Sequence, residues 1–171
     1  PTADFAPQLM WHWEGSSAHP TFSGVLVTPM VADVDHDGAS DVLVIAYEDT
    51  PPSYGGSIPA NGILCALSGP GDCSGAPREI FCTDPTDTAH LLNSWGQLAV
   101  ADLDATDGSE ALTIVAGLHR GALGGSGIVA FSETGAVLWE GHDASGAVVD
   151  VYYYGGAPAI ADLDGDGRAE I

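Results

Sequence analysis

The sequence predicts an all-β protein built from repeated, four-stranded antiparallel sheets. Val, Ile, Leu and Tyr recur in short runs, and 23 Gly and 11 Pro residues indicate many turns between those runs. Hydrophobic residues make up 45% of the 171 positions, which is enough for a core and too many for a disordered acidic tail. The third observation is an internal repeat, which is the most informative feature of the chain.

The repeat consists of an apolar strand, an acidic loop and a second apolar strand. Its copies are TPMVADVDHDGASDVLVIAY from Thr28, GQLAVADLDATDGSEALTIVAG from Gly96 and GAPAIADLDGDGRAEI from Gly156. A strand–turn–strand pattern follows the first two copies, at NGILCALSGPGD from Asn61 and at SGIVAFSETGAVLWEG from Ser126. Each full unit therefore contains about four strands.

Four antiparallel strands per repeat are typical of a β-propeller blade, with a β-sandwich or a solenoid as the alternative. We predict an incomplete propeller-type domain of about two full blades plus two partial blades. Residues 1–27 are predicted to be the tail of a preceding blade, 28–95 and 96–155 the full blades, and 156–171 the start of a further blade.

The acidic loops have the spacing of a calcium site. In loop one (33–41) and loop three (162–170), acids occupy positions 1, 3, 5 and 9, Gly at position 6 allows a sharp turn, and position 7 can offer its carbonyl. Ca²⁺ takes six to eight oxygen ligands of this kind, whereas Mg²⁺ keeps several waters and softer metals prefer His or Cys. The candidate ligands are Asp33, Asp35, Asp37, Ala39 and Asp41 in loop one, and Asp162, Asp164, Asp166, Arg168 and Glu170 in loop three.

Loop two (102–110), DLDATDGSE, departs from this pattern. It keeps Asp102, Asp104 and Glu110 at positions 1, 3 and 9, but Thr106 stands at position 5 and Asp107 where Gly is expected. Either Thr106 supplies a neutral oxygen, or the loop bulges so that Asp107 binds. We therefore predict up to three calcium ions, with the middle site the weakest. A solvated acidic turn is the alternative interpretation of each loop.

These loops resemble the FG-GAP/VCBS repeat family, known from the integrin α-subunit propeller and from many bacterial surface proteins. The resemblance rests on the pattern ADxDxDGxx[DE] at 32–41, 101–110 and 161–170, and on the Gly-Ala-Pro step of GGAPAIADLDGDGRAEI. It implies a calcium ion in a hairpin loop of each blade. Propellers of this family usually have more blades than this chain holds, so three alternatives stay open: a piece of a longer propeller, copies that complete each other's blades, or a larger, partly ordered domain.

The charge of the chain excludes two classes of partner. The formal net charge is -21, there is no Lys, and Arg78, Arg120 and Arg168 are the only Arg residues. Such a chain repels nucleic acid and anionic lipid, and it has no apolar run long enough to span a membrane. Half of the 24 acidic residues fall in the three loops, which argues against a diffuse acidic coat.

The three cysteines favour an oxidising compartment. Cys73 and Cys82 bracket a short loop and form the predicted disulfide, whereas Cys65, in the apolar run GILCALSG, is predicted to be a buried small hydrophobe. We therefore expect a secreted or cell-surface protein.

We expect a non-catalytic, calcium-binding segment that serves adhesion or structural assembly, with a protein partner or further copies of itself. The sequence has no G-x-S-x-G, HExxH or P-loop motif, and its six His form no close motif. The alternative is a glycan-binding or catalytic module that uses calcium only as scaffold. Aromatic residues could stack on sugars, although blade packing explains them more simply; they are Trp11, Trp13, Trp95, Trp139 and the Tyr run 152–154.

Overall fold

The computed structural model describes residues 9, 11–49, 61–69, 77–103, 106, 108–119, 127–149 and 156–171. Within these ranges every regular element is a β-strand, which confirms the all-β prediction. No described segment is a helix that could cross a membrane. The strands are β1 (Phe22–Val25), β2 (Met30–Ala32), β3 (Asp41–Glu48), β4 (Asn61–Ser68), β5 (Arg78–Cys82), β6 (Leu92–Asn93), β7 (Ala99–Ala101), β8 (Thr113–Gly117), β9 (Ile128–Phe131) and β10 (Val137–Glu140).

The strands form two antiparallel sheets. The first sheet has the order β1-β3-β4-β5, with β2 also paired to β3 and β6 paired to β4; the second has the order β10-β9-β8-β7. In each sheet the strand before an acidic loop pairs with the strand after it, so loops one and two each connect neighbouring strands. The predicted hairpin at Ser126 is confirmed, because β9 and β10 pair through the turn at 132–135.

The segment β1 belongs to the first sheet. It pairs with the second half of β3, from Phe22 opposite Glu48 to Val25 opposite Ala46, while β2 pairs with the first half of the same strand. The two short strands therefore follow one another along β3. The stretch predicted as the tail of a preceding blade thus contributes a strand to the sheet that carries loop one.

The main core lies between the two sheets. Alternate residues of β3 and β4 face the second sheet. They pack against alternate residues of β8 and β9 in that sheet. The central members, all essentially inaccessible to solvent, are Leu43, Ile45, Leu64, Ala66, Ile114, Ala116, Val129 and Phe131. The strands that precede the acidic loops, β2 and β7, also contact each other across the sheets.

The opposite face of the first sheet is also buried. The other alternate residues of β3 and β4 form a second apolar cluster, against which Trp13 of the N-terminal segment packs. Glu79 of β5 holds this segment in place by accepting hydrogen bonds from the Ser17 backbone N–H at 2.6 Å and the Trp13 indole N–H at 3.4 Å. Because both faces are covered, β3 and β4 are apolar without alternation.

The predicted disulfide is wrong in one of its partners. Cys82 is bonded to Cys65, and Cys73 lies outside the described residues. The strand register explains the pairing: β4 and β5 run antiparallel with Cys65 directly opposite Cys82, and their Cα atoms are 4.1 Å apart. Cys65 is fully buried, as expected, but as half of a cross-strand disulfide.

Candidate metal centre

Loop one brings three carboxylates to a single point. Oxygen atoms of Asp33, Asp35 and Asp37 lie within 4.8 Å of one another. The backbone fixes two of them: Asp33 accepts the N–H groups of Asp37 at 3.1 Å and Gly38 at 3.0 Å, and Asp37 accepts the N–H of Ala39 at 2.8 Å. The side chains at positions 1, 3 and 5 therefore turn inward, as the sequence predicts.

Asp41, at position 9, lies beneath the loop at the start of β3. Its Oδ2 accepts the N–H of Val34 at 2.9 Å, and the side chain has no solvent exposure. Burial raises the pKa of Asp41, and the nearby charges of Asp35 and Asp37 act in the same direction. A buried carboxylate in this position is costly unless a cation or proton accompanies it.

Two carboxylate oxygens of this centre lack a hydrogen-bond partner. Oδ1 of Asp35 and Oδ1 of Asp41 are both buried and unpartnered. Native structures pair most buried polar atoms, so an unpaired oxygen requires an explanation, and binding of an ion is one of the usual ones. The donor set is all oxygen, and these two atoms provide places that a hard cation would fill.

Loop three repeats most of the hydrogen bonds of loop one. Asp162 accepts the N–H groups of Gly165, Asp166 and Gly167 at 2.6, 3.2 and 2.9 Å, and Asp166 accepts that of Arg168 at 2.8 Å. Its position-9 acid, Glu170, accepts the N–H of position 2, as Asp41 does in loop one; the bond to Leu163 is 2.7 Å. Here the oxygens within 4.8 Å of one another come from Asp162, Asp164 and Glu170.

The two loops also share a backbone that turns left-handed twice. Position 6 is Gly in both, with φ of 86° at Gly38 and 89° at Gly167. Position 4 is left-handed as well, at Gly165 with φ of 82° and at His36 with φ of 55°. His36 is the only described non-Gly residue with a positive φ. Since a side chain with a Cβ adopts this conformation at a cost, the loop geometry dominates over residue preference at that position.

Loop two has a different register. In loop one, Ala32 is paired with Asp41, and in loop three Ala161 is paired with Glu170, so eight residues lie between the paired ends in each. In loop two Ala101 is paired with Thr113, and eleven residues intervene. Glu110, predicted at the closing position, therefore does not stand where Asp41 and Glu170 stand.

Part of loop two is described, and it contacts loop three. Asp102, Thr106 and Glu110 are described, whereas Asp104 and Asp107 lie outside the described residues. The N–H of Ala169 donates to the carbonyl of Leu103 at 3.1 Å, and the methyl group of Thr106 lies against Gly167. The predicted ligands of loop two remain predictions.

Two polar contacts around loop one are not predicted by the sequence. Arg78 of β5 reaches Asp35, with Nη2 2.8 Å from Oδ2. Glu133, in the β9–β10 turn of the second sheet, accepts the N–H of Leu112 at 2.6 Å and lies 2.7 Å from the His36 ring. This contact with Glu133 raises the pKa of His36. Both partners are distant in sequence, so only the sheet topology brings them to the loop.

A third polar cluster connects the two sheets at a cleft of about 290 Å³. The His90 ring lies between two carboxylates, 2.6 Å from Asp87 and 3.0 Å from Glu140 of β10. Each ring nitrogen meets a different carboxylate, which makes the cluster a connection between the loop after β5 and the second sheet.

The aromatic residues divide between packing and exposure. Trp13 packs against the outer cluster of the first sheet. Trp95 and Trp139 are exposed by 41% and 37%. The Tyr run at 152–154 lies outside the described residues.

Comparisons with known proteins find a likeness in fold to a solved structure. No protein-family model matches the sequence, and no curated protein matches it. The chain is similar to the crystal structure of the V. cholerae biofilm matrix protein Bap1, with a TM-score of 0.61 and 24% sequence identity. The alignment covers 95% of this chain and 24% of Bap1, so the chain spans about a quarter of that protein's length.

Proposed function

We propose that this chain is a calcium-stabilised, non-catalytic repeat segment of an extracellular structural protein. The observation that carries the proposal is the shared construction of loops one and three. Both hold acids at the same positions and share four hydrogen bonds from backbone N–H groups to these acids. Loop one also leaves two buried carboxylate oxygens, on Asp35 and Asp41, without a partner.

The electrostatics of the loops favour a divalent cation. Two like unit charges about 4 Å apart repel by about 4 kcal/mol at an effective dielectric of about 20. Loop one brings oxygens of three carboxylates within 4.8 Å and places a fourth, Asp41, beneath them. A calcium ion reverses the sign of this interaction and occupies the unpartnered oxygens. We therefore assign one ion to loop one and one to loop three, with a weaker third site in loop two.

The arrangement of the sheets supports successive blades of a propeller. Equivalent strands, β2 and β7, are neighbours across the two sheets, and each precedes an acidic loop. The residues 156–171 begin a third copy of the same loop. These features, together with the loop pattern, favour the FG-GAP/VCBS type of repeat.

Two further observations support an extracellular setting and a role in assembly. The Cys65–Cys82 disulfide forms and persists in oxidising compartments. The chain shares its fold with a biofilm matrix protein, which makes a structural role outside the cell the function we favour. Its partners would then be other proteins or further copies of itself, joined in a calcium-dependent manner.

Native mass spectrometry with calcium, and then with a chelator, tests this function. We expect at least two bound ions, one lost in Asp33→Asn and one in Asp162→Asn. Glu14→Gln, at an exposed acid outside the loops, makes the same charge change and should retain both ions. The proposal is contradicted if the wild type binds no calcium, or if all three variants bind the same number of ions.

The same preparation distinguishes this proposal from the glycan-binding alternative. That alternative is supported by the exposure of Trp95 and Trp139. Retention on immobilised glycans that is lost in Trp139→Ala, with calcium still bound, would favour that alternative. Calcium-dependent self-association without glycan retention would favour assembly.

A further inference from the structure

We propose that Arg78 is a resident counter-ion of loop one, which lowers the calcium affinity of that loop and holds it together when calcium is absent. This inference depends on the proposed calcium site in loop one. It concerns a residue outside the acidic motif, carried by another strand of the same sheet.

The sheet topology delivers Arg78 to the loop. Asp41 of β3 is opposite Ser68 of β4, and Ser68 is opposite Arg78 of β5, so the three residues form one row across the strands. The row lies at the end of β3 from which loop one emerges. From there the arginine side chain reaches Asp35.

The contact divides the Asp35 carboxylate between two cations. Its Oδ2 is 2.8 Å from Nη2 of Arg78, while its Oδ1 is buried without a partner. The guanidinium thus fixes the orientation of the side chain and leaves one oxygen for a metal ion. Asp35 can therefore bind the ion through Oδ1 alone for as long as Arg78 stays in place.

The charge of Arg78 acts in opposite directions on the two states of the loop. Without calcium it offsets part of the repulsion among the loop carboxylates, so it stabilises the empty loop. With calcium bound it lies close to a divalent ion of the same sign. Both effects reduce calcium affinity, and both weaken with added salt because the Arg78 side chain is 63% exposed.

The size of the effect follows from this exposure. An exposed ion pair changes an equilibrium constant by roughly two- to five-fold. The Coulomb energy between Arg78 and a divalent ion is twice that with a monovalent ion at the same distance. We expect Arg78→Met to bind calcium at loop one about five-fold more tightly in low salt. Arg78→Lys keeps the charge and should stay within about two-fold of the wild type.

Amide NMR on the full chain, titrated with calcium chloride, reads each loop separately. Gly38 reports on loop one and Gly167 on loop three, because each N–H binds the first Asp of its loop. Arg168→Met serves as a charge-matched control for loop one, since it removes one positive charge from loop three and keeps the backbone carbonyl of that position. The proposal predicts tighter binding at Gly38 in Arg78→Met only, and loss of Gly38 hydrogen-exchange protection in that variant under chelator.

The outcomes separate this proposal from the one it depends on. If Gly38 responds to calcium in the wild type, but its affinity in Arg78→Met is unchanged or weaker, Arg78 is not a competing counter-ion and the calcium site stands. An equal gain in Arg168→Met would assign the effect to net charge and also overturn the role of Arg78. If Gly38 responds to calcium in neither the wild type nor Arg78→Met, the loop-one calcium site itself fails.

Discussion

Replacing Asp41 by Asn should stabilise the protein without calcium and destabilise it with calcium. Asp41 is fully buried and one of its carboxylate oxygens has no hydrogen-bond partner. Asn keeps the oxygen that accepts the N–H of Val34 and removes the charge. The substitution therefore separates the cost of the buried carboxylate from its value as a calcium ligand.

The magnitudes follow from burial and from ligand linkage. A buried charge costs more than the roughly 1–3 kcal/mol of an unsatisfied neutral polar group, and the Asn amide still leaves such a group at this position. In chelator at pH 7 Asp41→Asn should therefore gain about 1–2 kcal/mol from removal of the charge. Calcium at a hundredfold excess over Kd adds about 2.7 kcal/mol per site. The variant loses this contribution at loop one, so it should be about 1 kcal/mol less stable than the wild type in calcium.

The pH dependence has a defined sign. Burial raises the pKa of Asp41 in the folded state above its ordinary value of 3.8. In chelator, this group's contribution to stability is fully present below that ordinary value. It is lost as the pH rises through the raised folded pKa. The Asn variant should lack this part of the pH profile.

Urea unfolding followed by tryptophan fluorescence measures both conditions. Glu170→Gln is the matched control in loop three: its side chain is only partly buried, so it should lose the calcium-dependent stabilisation without the gain in chelator. If Asp41→Asn is destabilised equally with and without calcium, the carboxylate charge stabilises the loop independently of the ion, Asp41 is not a calcium ligand, and the reasoning fails.

Three further predictions concern the frame around the loops. Replacing Cys65 and Cys82 together by Ala should cost about 3 kcal/mol, because the bond closes a loop of 17 residues; unfolding and peptide mapping check the stability and the pairing. Glu133→Gln should lower the pKa of His36 towards 6.5, which NMR titration measures. It should also remove a contribution to stability that is present below pH 6.5 and is lost as the pH rises through the raised pKa of folded His36. Gly62→Ala should cost about 1–3 kcal/mol, since the added Cβ collides with a buried isoleucine of β3; a normal urea midpoint would contradict this.

Local sequence was sufficient to predict the two regular loops. The acids at positions 1, 3, 5 and 9 and the Gly at position 6 act within nine residues, and their hydrogen bonds to backbone N–H groups are local. The same is true of the all-β class and of the β9–β10 hairpin, whose turn is a four-residue motif. In each case the residues that contact one another in the structure are also close together in the sequence.

The contacts that the sequence did not reveal depend on strand register. The disulfide joins Cys65 to Cys82 because of the register in which β5 pairs with β4, which shifts by one residue between Ala66 and Leu67, and the loop length between cysteines does not contain that information. Arg78 reaches Asp35 for the same reason, as the third residue in a row across three strands. A one-residue slip of β5 would turn both side chains to the opposite face.

Loop two shows why an alignment of acids alone misleads. Aligning Glu110 with Asp41 would give Ile114 the place of Ile45, whose side chain faces the following sheet. In the structure Ile114 instead faces the preceding sheet. The reason is the register of β8: Thr113, three residues after Glu110, is the residue paired with Ala101, which precedes the loop. An odd shift reverses every side chain of a strand, and the core between the sheets cannot be filled from the wrong face. The core therefore fixes the register of β8, and loop two spans the same gap with three more residues than loops one and three. A calcium site there must be built on a longer backbone, which is the physical reason to expect it to be the weakest of the three.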